Sequence, residues 1–136
     1  MWLGLAMDKV QSIYQGRPAR LREMDNRVPM QFLDEYEELE PFSTVTYALD
    51  PCILVHPTYG VSTFWEMCRL SIIMDRVLCN LYAERSSSQD PMDLFHTSGV
   101  LHEELRSWRE SLPNHLSMKL DNPESAAILP HTLSLQ

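Results

Sequence analysis

The sequence predicts an all-α protein, a helical bundle fragment with about three antiparallel helices and a long acidic, proline-containing arm. Three separate segments carry apolar residues at spacings of three and four, which is typical of amphipathic helices. Between the first and second segments, five prolines exclude a long helix or a central strand. No stretch shows the sustained apolar–polar alternation of a half-buried strand. At 136 residues and 44% hydrophobic composition, the chain suits one domain or a piece of a larger one.

The first predicted helix covers residues 1–15. Its apolar stripe of Leu3, Ala6, Val10 and Ile13 is expected to face the core. Gly16 occupies the position at which a left-handed residue ends a helix, and Pro18 prevents continuation. Because the pattern is already apolar at Met1, with no capping residue before it, this helix is expected to have lost its first turns.

The arm spans residues 17–57 and contains the most acidic stretch of the chain. Between Glu23 and Asp50 there are eight acidic residues and one basic residue, Arg27, so this stretch has a net charge of −7, compared with −8 for the whole chain. The arm is expected to be extended and packed on the helices, with a short helical turn near Phe32–Leu39. Its acids at 34–40 are expected to be solvated. Its aromatic residues are expected to pack on the chain's own helices; engagement of a partner's groove is the alternative.

Two further helices follow, at residues 60–84 and from Asp90-Pro91 to Pro113. The second is expected to bury a wide face against at least two elements, leaving a polar strip with Glu66, Arg69 and Arg76. In the third, Asp90 is the expected N-cap and Pro91 the first helical residue. Residues 85–89 form a polar linker, and 114–136 resemble the start of another helix. The expected core positions are Phe64, Met67, Leu70, Met74, Val77 and Leu81 in the second helix, and Leu94, Ser98, Leu101, Leu105, Trp108 and Leu112 in the third.

Composition and motifs argue against several classes of function. Affinity for nucleic acid comes mainly from Lys and Arg, so this acidic chain is not expected to contact nucleic acid directly. No signal peptide and no membrane span are apparent, and three unpaired cysteines suit a reducing compartment inside the cell. Cys68 and Cys79 are expected to be small buried hydrophobic residues. Cys52 and His56 lack a second pair at zinc-ligand spacing, so no metal site is expected.

An enzyme is not expected, because the chain has no Gly-x-Ser-x-Gly elbow and no glycine-rich phosphate loop. His96 and His102 lie on different helix faces, and His115 and His131 are expected to be solvated. A small-molecule sensor stays open as an alternative. It requires a pocket between the helices, with Trp65, Met67 and Met74 as the expected wall.

Two blocks of residues carry a family resemblance. The first contains Asp8, the triplet Gly16-Arg17-Pro18, Asp25 and the step Val28-Pro29; the second contains Trp108 and Leu112-Pro113. In this order they resemble the middle homology region, a regulatory domain, of fungal binuclear zinc-cluster transcription factors. The family often has a proline or a small residue where this chain has Met30. The positions that carry the resemblance, all expected to be structural, are Asp8, Gly16, Arg17, Pro18, Asp25, Pro29, Trp108, Leu112 and Pro113.

The resemblance implies that residues 1–136 form part of a regulatory domain that controls transcription in the nucleus, truncated at both ends. The implied partners are the remainder of the same transcription factor and a co-regulator protein or a metabolite, with no membrane contact. The family's zinc cluster is absent, so the chain itself needs no cofactor, and zinc and DNA binding would belong to the longer protein. Arg17 is expected to pair with Asp8 or Asp25. An inactive truncated helical protein is a further alternative.

Overall fold

The computed structural model describes residues 2–23, 27–29, 38–41, 57–82, 90–117 and 135. Three helices follow in order, α1 (Trp2–Gln15), α2 (Gly60–Leu81) and α3 (Pro91–Ser111). Within the described ranges there is no strand, only one isolated bridge, so the predicted all-α class is confirmed. The linker at 85–89 and most of the turn predicted at Phe32–Leu39 lie outside the described residues.

The chain divides into two compact units. Unit 1 comprises residues 1–30 and 68–111, and unit 2 comprises residues 31–67 and 112–136. Unit 1 therefore contains α1, most of α2 and all of α3, whereas unit 2 contains the first two turns of α2.

The end of α1 confirms the predicted role of Gly16. This glycine has a φ of 61°, and its N–H donates to the carbonyl of Ile13 at 3.4 Å. The next N–H, from Arg17, reaches back to the carbonyl of Ser12 at 3.1 Å. These two bonds form a Schellman motif, which satisfies carbonyls that the helix would otherwise leave unpaired.

The predicted core face of α1 was wrong. Leu3, Val10 and Ile13 are 53%, 51% and 55% exposed, and of the predicted stripe only Ala6 is buried. The face of α1 that is buried instead consists of five residues, and three of them are polar: Leu5, Ala6, Asp8, Lys9 and Ser12. Apolar periodicity locates the apolar face of a helix, but the ion pairs of Asp8 and Lys9 decide which face turns inward here.

Helices α2 and α3 pair within unit 1 and run in opposite directions. Arg76 forms an ion pair with Glu104. Two turns earlier on α2, Arg69 donates a hydrogen bond to the hydroxyl of Ser111 at 3.5 Å. Because the later residue on α2 meets the earlier residue on α3, the two helices are antiparallel. α2 also contacts α1 through Asp75 and Lys9, so it meets two elements, as predicted, and the contact to α1 is made by charged side chains.

Helix α3 begins and ends as predicted. The Asp90 carboxylate accepts a hydrogen bond from the Met92 N–H at 3.0 Å, as an N-cap does. The helix ends at Ser111, shortly before Pro113. Leu101, Trp108 and Leu112 are buried, but Leu94 and Leu105 are only half-buried and Ser98 is exposed. The prediction that Leu105 belongs to the core was therefore wrong.

Helix α2 buries four polar residues, one of which the sequence pattern assigned to its surface. Glu66 is buried rather than part of an exposed strip, and Thr63, Ser71 and Asp75 are buried with it. The six predicted core positions of this helix are all half-buried. Cys68 is buried, as expected, whereas Cys79 is half-buried.

In unit 2, residues 38–41 lie beside residues 57–59. The N–H groups of Thr58 and Tyr59 donate to the carbonyls of Glu40 and Glu38 at 2.8 and 3.2 Å. The Glu38 carboxylate also accepts hydrogen bonds from the N–H and the hydroxyl of Ser62, in the first turn of α2. Glu38 is therefore a helix cap rather than one of the solvated acids that the sequence predicted.

Tyr59 precedes α2 with a φ of 49°, a left-handed conformation that is uncommon outside glycine. Its ring stacks on that of His115, with centroids 4.4 Å apart. His115 is exposed, as predicted, but it has this aromatic partner within unit 2.

Candidate functional site

The most developed polar site is a cluster of four charged side chains in unit 1, Asp8 and Lys9 of α1, Arg17 of the turn and Asp75 of α2. We call it the charge cluster. It forms because the chain reverses at Gly16 and runs back along α1. The N–H groups of Arg20 and Leu21 then reach the Asp8 carboxylate, at 2.8 and 2.9 Å.

Lys9 lies at the centre of the charge cluster and is completely buried. Its ammonium group is 2.6 Å from a carboxylate oxygen of Asp75 and donates a hydrogen bond to the carbonyl of Leu21. The Asp8 carboxylate is farther away, at 3.9 Å. A buried charge is tolerated only when it is paired and hydrogen-bonded, and Lys9 meets both conditions.

Asp8 is 9% exposed and binds the turn and the returning chain together. Burial acts to raise the pKa of its carboxyl, but the N–H groups of Leu21 and Arg20 and the charges of Lys9 and Arg17 outweigh burial. The pKa of Asp8 is therefore lowered from its ordinary value of 3.8. The structure keeps this group ionised at neutral pH.

Arg17 connects the charge cluster to the surface of α1. One terminal nitrogen, Nη2, is 3.5 Å from Asp8 and 3.2 Å from the side-chain oxygen of Gln11, and Nε donates to Gln15 at 2.8 Å. The predicted pairing of Arg17 with Asp8 is confirmed. Asp25, the other predicted partner, lies outside the described residues.

The charge cluster joins three parts of the chain. It contacts α1, the segment after Gly16 and α2, and the N–H of Glu23 adds a longer contact to Asp75 at 3.4 Å. The indole N–H of Trp2 donates to the carbonyl of Val28 at 3.0 Å, so residue 28 lies beside the first turn of α1. A lysine without solvent access, held by a carboxylate and a carbonyl, is arranged to hold these segments together.

The positions that carry the family resemblance have different surroundings. Trp108 and Leu112 are buried and Pro113 is half-buried. Pro18 and Pro29 are exposed, as is Gly16, whose role is the turn itself. The structure brings Asp8 and Arg17 into one cluster, as the sequence predicted for this pair.

Sequence reasoning missed Lys9 and Asp75. The available signal was the pair Asp8-Lys9 in a helix that has no other charged residue. Asp75 offered a weaker signal as an acid within the apolar pattern of α2. Lys9 and Asp75 are far apart in the sequence, so local spacing does not reveal that they form an ion pair.

A separate feature of unit 1 is a groove of about 500 Å³ between α2 and α3. Ile73 and Trp108, both buried, contribute its apolar lining, and the Arg76–Glu104 ion pair is part of its wall. The pocket predicted around Trp65, Met67 and Met74 does not coincide with it. The groove is lined by Arg69, Ile72, Ile73, Arg76, Glu103, Glu104, Ser107 and Trp108.

In the described part of the chain, no three His, Cys, Asp or Glu residues are grouped so that they could hold a metal ion. Burial raises the pKa of the Cys68 thiol to about 11, which leaves it protonated and unreactive at neutral pH. Of the helices that the structure describes, none is long and apolar enough to cross a membrane.

Comparison with known proteins places this chain near fungal transcription factors. It is 27% identical over 112 residues to an ABC-transporter-regulating transcription factor of Aspergillus fumigatus, and 26% identical over 112 residues to the protein of the same description in Aspergillus oryzae. Each match covers 82% of this chain but only 11% of the relative. No family model and no solved structure matches. The chain is therefore similar to a short part of two proteins described as transcription factors.

Proposed function

We propose that this chain is a regulatory segment of a fungal zinc-cluster transcription factor and corresponds to part of the middle homology region. The observation that carries the proposal is the similarity to two fungal transcription factors along 82% of the chain. In this proposal the protein acts in the nucleus, and its DNA and zinc binding belong to regions outside these residues.

The charge cluster supports a regulatory rather than a catalytic role. The residues that carry the resemblance at the start of the chain, Asp8 and Arg17, fix a turn and hold the returning chain against α1. Lys9 is buried and fully engaged, so it is not available as a nucleophile or a base. The partners proposed are the rest of the same transcription factor and a co-regulator protein, with no contact between this segment and DNA.

A reporter experiment tests this function. The chain is placed between an unrelated DNA-binding domain and an activation domain, and reporter expression in a fungal host is compared with a fusion that has a flexible linker of equal length. We expect the chain to change expression and Lys9→Met, which disrupts the charge cluster, to abolish the change.

The matched control is Arg76→Met, which removes a cation from an exposed ion pair and should leave the effect intact. Equal protein levels are verified by immunoblot. Expression that is the same with the chain and with the linker would contradict the proposed function.

The groove between α2 and α3 favours a second candidate, the sensing of a small molecule. Its volume of about 500 Å³ is within the range of ligand sites, and its lining combines apolar side chains with both signs of charge. Thermal unfolding in the presence of fungal metabolite fractions tests it. A stabilising fraction should lose its effect on Ile72→Trp, which fills the groove; an equal effect on this variant would exclude the groove as the site.

A further inference from the structure

Helix α1 carries an apolar stripe on the face opposite the charge cluster. Leu3, Met7, Val10 and Tyr14 are 53%, 45%, 51% and 91% exposed. With 3.6 residues per turn, these four positions fall within an arc of about 60° of the helix surface. Four large apolar side chains in one exposed line on a helix of 14 residues form a surface patch that needs an explanation.

The spacing of the apolar stripe is that of a coiled-coil seam. Its members are separated by four, three and four residues, as the a and d positions of a heptad are. The only charged residues of α1, Asp8 and Lys9, are buried on the opposite face. Beside the stripe, Ile13 is also apolar and exposed at 55%, and Gln11 is uncharged and bonded to Arg17.

The stripe is also symmetric. Read from either end of α1 its spacing is the same, so an antiparallel copy of the helix would place Leu3 of one copy opposite Tyr14 of the other, and Met7 opposite Val10. A twofold interface uses the same patch on both partners and therefore requires a self-complementary surface. Because no residue of α1 places a charge on this face, antiparallel pairing brings no like charges of the two helices together, although the chain has a net charge of −8.

We propose that the apolar stripe of α1 is a contact site for a second copy of this chain, which binds through antiparallel pairing of the two α1 helices. One helix face is small compared with the ~800 Å² per partner of a stable interface. The association is therefore weak and depends on protein concentration. In a longer protein, contacts elsewhere would add to it.

Sedimentation velocity of the full chain over a concentration series tests the proposal. We expect a monomer–dimer equilibrium, and we expect Val10→Lys to weaken the dimer by about tenfold or more, because it would bury an unpaired ammonium group. Val100→Lys on α3 is the matched control, since Val100 is 53% exposed and Val10 is 51% exposed. If Val10→Lys lowers the helical signal in circular dichroism, Tyr14→Lys replaces it.

Cysteine cross-linking tests the direction of the pairing. A mixture of the Leu3→Cys and Tyr14→Cys chains should form a disulfide-linked heterodimer, whereas Leu3→Cys alone should not cross-link above the unsubstituted chain, which controls for its own cysteines. Cross-linking by Leu3→Cys alone would overturn the antiparallel geometry. A chain that stays monomeric, or a dimer that Val10→Lys and Val100→Lys affect equally, would overturn the proposal and leave the stripe to a helix of another protein.

Discussion

Lys9 shows how one side chain can hold distant segments together. It is completely buried, and its ammonium group lies 2.6 Å from Asp75 on α2 while it also binds the carbonyl of Leu21. Pairing with Asp75 offsets the cost of removing the charge from water, and the hydrogen bond to Leu21 satisfies a further donor. Any change that leaves one member of this pair alone therefore costs more than the pair itself contributes.

We expect Lys9→Met to lower the free energy of unfolding by about 3–5 kcal/mol, because it leaves Asp75 buried without its partner. The double variant Lys9→Met/Asp75→Leu should recover much of this loss, since it replaces the buried pair by apolar groups. Urea unfolding of the single and double variants measures both effects. Arg76→Met, at an exposed pair, should cost only ~0–1 kcal/mol. A double variant less stable than Lys9→Met would contradict this account.

Asp8 should make stability depend on pH in the acid range. Its folded pKa is lowered below the ordinary value of 3.8, so the unfolded chain binds more protons as the pH falls. The stabilisation is fully present above that value and is lost as the pH falls through the folded pKa. We expect the stability difference between the wild type and Asp8→Asn, measured by urea unfolding, to shrink between pH 5 and pH 3. Glu110→Gln, at an exposed ion pair, is the control, and it should change stability by only ~0–1 kcal/mol.

At the scale of the elements, the helix ends were more predictable than the helix faces. Gly16, Asp90 and Pro113 act within a few residues of their own positions, so local chemistry was sufficient to place them. The buried face of α1 depends on Asp75, which is far away in the sequence. The same reason explains why Asp8 and Arg17 were predicted as a pair while Lys9 and Asp75 were missed.

Two glycines should respond to alanine with opposite signs. Gly16 has a φ of 61°, so Gly16→Ala should destabilise the protein by ~1–2 kcal/mol through backbone strain, although a Cβ there would meet no atom within 4 Å. Gly99 lies within α3 and also has open space around it, so Gly99→Ala should stabilise the protein by ~0.5–1 kcal/mol. Chemical denaturation compares them. If both variants lost stability, α3 would not be a regular helix at Gly99.

Two leucines of α3 differ in how deeply they are buried. Leu101 is 5% exposed, whereas Leu105 is half-buried. We therefore expect Leu101→Ala to cost ~2–5 kcal/mol, with a clearly smaller loss for Leu105→Ala. Thermal and urea unfolding of both variants provide the comparison, and equal losses would mean that the outer side of α3 is also covered.

At the scale of the whole molecule, α2 is the element that the two units share. Residues 60–67 belong to unit 2 and residues 68–81 to unit 1, yet they form one continuous helix with the ends Gly60 and Leu81. Helix formation is cooperative, so loss of one part of α2 weakens the hydrogen bonds of the next turn. Glu38 caps the unit 2 end of α2, and Asp75 anchors its unit 1 part to Lys9.

We therefore expect thermal unfolding to be a single transition, and the tryptophans allow a test for each unit. Trp2 and Trp108 lie in unit 1 and Trp65 in unit 2. In Trp65→Phe the fluorescence reports unit 1, and in Trp2→Phe/Trp108→Phe it reports unit 2. Unfolding is two-state if the fluorescence and far-ultraviolet circular dichroism midpoints coincide within each variant. Because both signals come from the same variant, a change in its stability shifts both midpoints equally. A fluorescence midpoint displaced from the dichroism midpoint in either variant would mean that the units unfold separately and that continuity of α2 does not couple them.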